Sequence, residues 1–145
     1  MENIVEVAVK SGKFPTLVKA VQVAGLVDAL SLPGPFTVFA PAEEAFKSLP
    51  KGTLEGLLAD KEKLGSVLKY HVLSGKYTSA DVLSGLKKSN NLNLLTLQGE
   101  QLRITSAGLI KKHIRINQAN LVSIDIQASN GVIHVIDKVV IPSRV

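Results

Sequence analysis

Two short apolar segments, roughly a hundred residues apart, limit what this chain can fold into more than any other feature. Pro35-Phe36-Thr37-Val38-Phe39-Ala40-Pro41 carries apolar residues on both faces of an extended strand and has a proline at each end. Asn130-Gly131-Val132-Ile133-His134-Val135-Ile136-Asp137 begins abruptly at an Asn-Gly pair. A strand that is apolar on both faces must be covered on both, so each segment belongs inside a sheet and the two are expected to be neighbours. His134 shares a strand face with Val132 and Ile136, which predicts a buried imidazole bonded within the protein.

Around these segments the chain has two regimes. Up to about residue 88 the apolar spacing is mostly helical. Ile4, Val5, Ala8 and Val9 follow an Asn3/Glu6 cap pair, and Leu17, Val18, Val21 and Ala24 run from Pro15 to a stop at Gly25. Leu26 to Leu30 reads as a short continuation. Thr53 opens a helix on Leu54, Leu57 and Leu58, Lys61 to Lys69 carries Leu64, Val67 and Leu68, and Ser79 is expected to cap a turn through Val82 and Leu83. From about Asn93 the period changes to two. Leu95, Leu97, Leu102, Ile104, Ile114, Ile116, Val122, Ile124 and Ile126 alternate with polar neighbours, and Gln98-Gly99-Glu100 and Ala107-Gly108 supply turns, so an antiparallel meander is expected.

One early strand, a helical block and a late run of strands leave several β topologies open. The two apolar segments, with Ala42-Glu43-Glu44-Ala45-Phe46 after the first and Lys138-Val139-Val140-Ile141-Pro142 after the second, resemble the two signature boxes of the fasciclin domain, and Tyr70-His71 lies between them where that family carries a Tyr-His pair. The resemblance runs from about Asn3 to Pro142. It implies an α+β fold, a wedge of two β-sheets with about seven mostly antiparallel strands against a layer of short helices, the two boxes being adjacent central strands. It also implies one fasciclin-like domain over residues 1–145. Animal members link the Tyr-His pair to integrin binding, which suggests partner contact through Tyr70 and His71. The residues themselves favour structural anchoring, because a helix there runs directly into an apolar strand.

Composition narrows the function. With 46% apolar residues and no cysteine, 145 residues can build a core without disulfides or metal. No apolar run reaches the length of a membrane span, and Glu2 and Glu6 stand where a signal peptide would be basic and then apolar. The expectation is a secreted, periplasmic or cell-surface protein whose signal peptide is absent from this chain or removed. The formal charge of +5 lies wholly in the second half: residues 1–75 hold eight lysines and eight acids, residues 76–145 nine basic residues and four acids. Its densest part is Lys111, Lys112, His113 and Arg115, with Arg103, Lys87 and Lys88 as candidate neighbours, a patch suited to a polyanion. The plainer reading is a charged hairpin that protects a sheet edge. Two tyrosines, no tryptophan and no RNA-binding signature argue against nucleic acid.

Chemistry finds little support. His71, His113 and His134 have no metal-ligand spacing. Ser66, Ser74, Asp81, Asp125 and Asp137 combine with a histidine only on paper, Leu83-Ser84-Gly85 lacks the first glycine of a nucleophile elbow, and Ser11-Gly12-Lys13 and Ser74-Gly75-Lys76 lack a glycine-rich phosphate loop. Glu43-Glu44 reads as a solvated pair at a helix start. The expectation is a monomeric, non-enzymatic module without metal or cofactor, binding a surface or matrix protein or glycan in cell adhesion. The alternative is a carrier of a carotenoid-like or lipid-like apolar molecule, which requires an apolar groove.

Overall fold

The computed structural model of the protein describes residues 3–49, 52–88, 91–107, 113–117 and 119–140. The helical half comes first. Helices α1 (Ile4–Ser11), α2 (Pro15–Ala24) and α3 (Val27–Leu30) precede strand β1 (Phe36–Pro41), and α4 (Glu43–Lys47), α5 (Thr53–Ala59) and α6 (Lys61–Tyr70) lead into β2 (Val72–Ser74). After α7 (Ser79–Lys88) come β3 (Asn91–Leu95), β4 (Gln101–Ala107), β5 (His113–Ile116), β6 (Ala119–Ala128) and β7 (Gly131–Ile136).

Local chemistry sets the helix ends. Asn3 and Glu6 form a reciprocal capping box at α1, Pro15 occupies the first turn of α2, and Gly12 and Gly25 close these helices in the left-handed conformation. The start of α7 differs from the expectation. The Thr78 hydroxyl accepts from the Asp81 N–H (3.3 Å) while the Asp81 carboxylate accepts from the Thr78 N–H (3.0 Å), so Thr78 caps this helix rather than Ser79.

The strand order is β2-β1-β7-β6-β5-β4-β3. β1 and β7 pair in parallel from Phe36↔Gly131 to Pro41↔Ile136, and every residue of both strands is buried. A Cβ at Gly131 would strike the Phe36 carbonyl, so only glycine permits this approach. The remaining pairings are antiparallel. Among the described residues the ten-residue β6 pairs with β5 through Ala119 and Asn120, then follows β7 from Leu121 to Ala128 with two register shifts, and so passes from one half of the wedge to the other. The two end strands meet where Leu73 bridges Thr96 and the Leu97 N–H donates to the Val72 carbonyl at 2.9 Å.

Alternation along β1 separates two cores. Phe36, Val38 and Ala40 face the helical layer with Ile4, Leu17, Val21, Leu68 and Ile133, whereas Phe39 faces the second half of the sheet with Leu73, Leu102, Ile104, Ile116 and Ile136. Along β3 the inward leucines are Leu92 and Leu94. Leu95 and Leu97, expected inside, are 61% and 40% exposed, because the pairing Leu94↔Leu102 fixes the opposite phase. Val122 is 60% exposed for a related reason: it sits in the first register shift of β6.

Candidate functional site

The Tyr70-His71 pair stands at the junction of the two cores. α6 ends here and β2 begins, so successive side chains leave in opposite directions. Tyr70 enters the core between the sheet halves at 5% exposure, and His71, at 2%, lies under the helical layer. The Tyr70 hydroxyl donates to the Gln101 carbonyl (2.9 Å) and accepts from the Asn117 amide (2.9 Å). Asn117 adopts a left-handed conformation (φ 56°), and its side-chain oxygen accepts the Arg103 N–H at 2.9 Å, so one phenol ties the start of β4 to the residue that follows β5.

His71 is bonded through both ring nitrogens. The Val67 carbonyl, 2.7 Å from Nδ1, can only accept, and the Val140 N–H, 3.1 Å from Nε2, can only donate. The ring is therefore the neutral Nδ1–H form. Burial pushes its pKa down from 6.5 to about 4, the bond to the Val67 carbonyl pulling weakly the other way. Apart from Gln22, the side chains around it are apolar, among them Leu17, Val38, Leu68 and Ile133, and they line a cavity of about 40 Å³. Both members of the pair are thus buried and engaged in internal hydrogen bonds.

His134 sits among apolar side chains at 1% exposure, stacked on Phe39 with ring centroids 5.6 Å apart, and its Nε2 lies 2.7 Å from the Tyr77 carbonyl. Of the candidate acids, the side chain of Asp125 lies outside the described residues. The Asp137 carboxylate accepts from the Asn120 backbone (2.7 Å) and side-chain amide (3.0 Å), and Asp81 caps α7. Glu43 is half-buried rather than solvated, its carboxylate accepting from the Thr16 hydroxyl (2.7 Å) and N–H (3.2 Å) to hold α2 to α4. Among the described residues no group of three or more His, Cys, Asp or Glu is placed to hold a metal ion, and no helix is long and apolar enough to cross a membrane.

Of the basic candidates, Arg115 is exposed on β5 and Arg103 on β4. Because Thr105 pairs with Arg115, Arg103 lies two residues along on the same outward face. Lys111 and Lys112 lie outside the described residues, as do the side chains of Lys87, Lys88 and His113. This face also carries exposed Asn93, Leu95 and Gln101.

Asn130 is the residue whose importance the sequence understated. Its side chain accepts the Ile4 N–H (2.9 Å) and donates to the carbonyls of Leu30 (2.7 Å) and Leu32 (2.8 Å), while its own carbonyl accepts from Phe36 (2.9 Å). One buried amide fastens α1, the end of α3 and the start of β1 to β7. The Asn-Gly pair was visible only as a strand breaker.

The Fasciclin domain family model matches residues 12–142. The chain is 48% identical to the protein sll1483 of Synechocystis sp. over 97% of its own length and 73% of that protein. It is 34% identical to the transforming growth factor-beta-induced protein ig-h3 of Sus scrofa, spanning 98% of this chain and 20% of that one. Among solved structures, the FAS1 domain pair from the insect cell adhesion molecule fasciclin I superposes with a TM-score of 0.76 at 20% identity, over 99% of this chain and 52% of that chain.

Proposed function

This chain belongs to the fasciclin domain family, and from that membership we propose that it is a single-domain, monomeric, non-enzymatic binding module acting outside the cell or in the envelope, through protein or glycan contacts of an adhesive kind. The observation that carries the reading is the fate of its chemically capable side chains. His71 and Asp137 are held by internal hydrogen bonds, and His134 is buried against Phe39, while the open face of β3, β4 and β5 carries Asn93, Leu95, Gln101, Arg103 and Arg115. Such a surface suits recognition. Tyr70 and His71 serve it indirectly, by holding the two cores together.

The test is retention of the purified chain on immobilised envelope and matrix preparations. The expected result is binding that protease or glycosidase treatment of the matrix removes. Retention by neither preparation would count against an adhesive role.

A second reading, carriage of an apolar molecule, draws on the cavity beside His71. At about 40 Å³ it has room for a few atoms only, so a lipid-sized ligand requires α1 and α2 to move away from β1. Colour or extractable lipid in the purified protein would favour this reading.

A further inference from the structure

The middle of α6 contains a glycine that the protein's own packing does not require. Gly65 has ordinary helical geometry, and a Cβ added there meets nothing within 4 Å. Glycine in a helix interior is less favourable than alanine, so an unneeded one at a buried position calls for another reason. Gly65 lines a groove of about 530 Å³ between α6, the end of α2 and the turn after β3. Any side chain at this position would project into that groove. Gly56 in α5 also has open space around it, but it is exposed and lines no described groove.

The remaining walls state what the groove would hold. Ala24 and Leu26 supply apolar surface on one side and the 40% exposed Leu97 on the other. Lys61, Gly65 and Lys69 follow one another at four-residue intervals and share a helix face, which places the two exposed lysines roughly 12 Å apart along the axis with the glycine between them. Glu62 is the single acid in the lining, so cations predominate. Beyond Leu97 the surface continues past Leu95 to Arg103.

We propose that this groove docks an extended acidic peptide segment of a partner protein, with one apolar side chain seated over Gly65 and flanking carboxylates meeting Lys61 and Lys69. This inference rests on the binding-module reading and names the partner's chemistry. The exposed leucine makes a protein segment a better match than an acidic polysaccharide, which has little apolar surface to offer it. The concave shape favours a chain that enters the groove over a flat anionic membrane.

Selection from a random dodecapeptide phage library on the intact chain provides the probe, followed by fluorescence anisotropy of the best peptide. The expected winners carry a central large apolar residue among Asp and Glu. Their affinity is expected to fall at least tenfold in Gly65→Gln and in Lys61→Glu/Lys69→Glu, and to be unchanged in Gly56→Gln, the matched control for helix stability. No enrichment, winners without acidic residues, or equal binding by Gly65→Gln would overturn the proposal. So would heparin retention or phosphatidylglycerol-vesicle binding that disappears in Gly65→Gln while peptide binding does not. Envelope or matrix retention that survives Gly65→Gln would leave the adhesive reading standing and remove only the groove from it.

Discussion

The β1–β7 pair and the β3–β4–β5 half occupy the same sheet under different constraints. In the first, both faces are sealed: Val38 and Ala40 enter one core and Phe39 the other, and the backbones approach so closely at Phe36 and Gly131 that no side chain fits. In the second, Leu94, Leu102, Ile104 and Ile116 fill one face, while Leu95, Arg103 and Arg115 leave the other open. A strand buried twice can change neither residue nor register without disturbing two cores. A strand buried once keeps a face available for recognition, and its outward residues are constrained by solubility and partners more than by folding. Stability should therefore concentrate in the first region and binding in the second.

The largest effect expected from this contrast is at Gly131. In Gly131→Ala the new methyl meets the Phe36 backbone, which cannot swing aside as a side chain would, so the paired strands must separate locally. A loss of more than about 3 kcal/mol is expected in urea unfolding, beyond the usual range for a single added methyl group. A change below about 1 kcal/mol would mean that the β1–β7 contact is more yielding than its geometry implies.

Acid should act on the same region through His71. Its folded pKa of about 4 lies below the unfolded value of 6.5, so between these limits the unfolded chain binds the extra proton. The stability that comes from burying the neutral ring is complete above pH 6.5 and is lost as the pH falls to about 4. Over that window the loss amounts to about 3 kcal/mol. Protonation would also set an Nε2–H against the Val140 N–H, which removes that contact. Urea midpoints measured from pH 7 to pH 4 should fall steeply in the parent and more gently in His71→Leu, which is less stable at pH 7 but has no ring to charge. Parallel curves for the two proteins would refute this assignment.

Tyr70 tests the seam between the regions. Tyr70→Phe keeps the ring in its core but leaves the Gln101 carbonyl and the Asn117 amide without their shared hydroxyl. The cost should be about 1–3 kcal/mol. If the pair serves only to hold the cores together, retention on envelope or matrix preparations should persist wherever the variant remains folded. Unchanged thermal unfolding with lost retention would instead make Tyr70 a recognition residue.

How far the sequence was legible follows the same division. β1 and β7 stood out because apolar residues on both faces, fenced by prolines and an Asn-Gly pair, admit few alternatives. The helix starts at Asn3 and Pro15 were equally plain, since their capping chemistry is local. The phase of β3 was not legible: Leu94 and Leu95 are adjacent, so alternation alone cannot say which faces inward, and the choice is made by pairing with β4. Val122 escaped because register shifts break the period within a strand. Of the site candidates, Tyr70 and His71 could be found as a pair, but their separate hydrogen bonds depend on Gln101, Asn117 and Val140, far along the chain. The role of Asn130 was hidden for the same reason, because its partners Ile4, Leu30 and Leu32 are remote in sequence.

The smallest effect on stability, and the sharpest on binding, is expected on the open face. Arg103 and Arg115 are exposed on neighbouring strands, roughly 7–8 Å apart as a diagonal pair, so their fields reinforce each other at any anion laid across β4 and β5. Reversing both to Glu should change unfolding free energy by about 0.5 kcal/mol or less per site. If this face is the polyanion surface to which Lys111, Lys112 and Arg115 were assigned from the sequence, heparin retention by the parent should weaken steeply with salt and vanish in Arg103→Glu/Arg115→Glu. Lys47→Glu/Lys63→Glu makes the same change in net charge on the helical half, where both lysines are exposed, and should retain binding. Charges screened over about 8–10 Å at physiological ionic strength act locally, so the two double variants must differ if position matters. Equal losses would reduce the effect to net charge. No retention by the parent would leave the arginines as guards of an open sheet face, keeping it soluble without recognising anything.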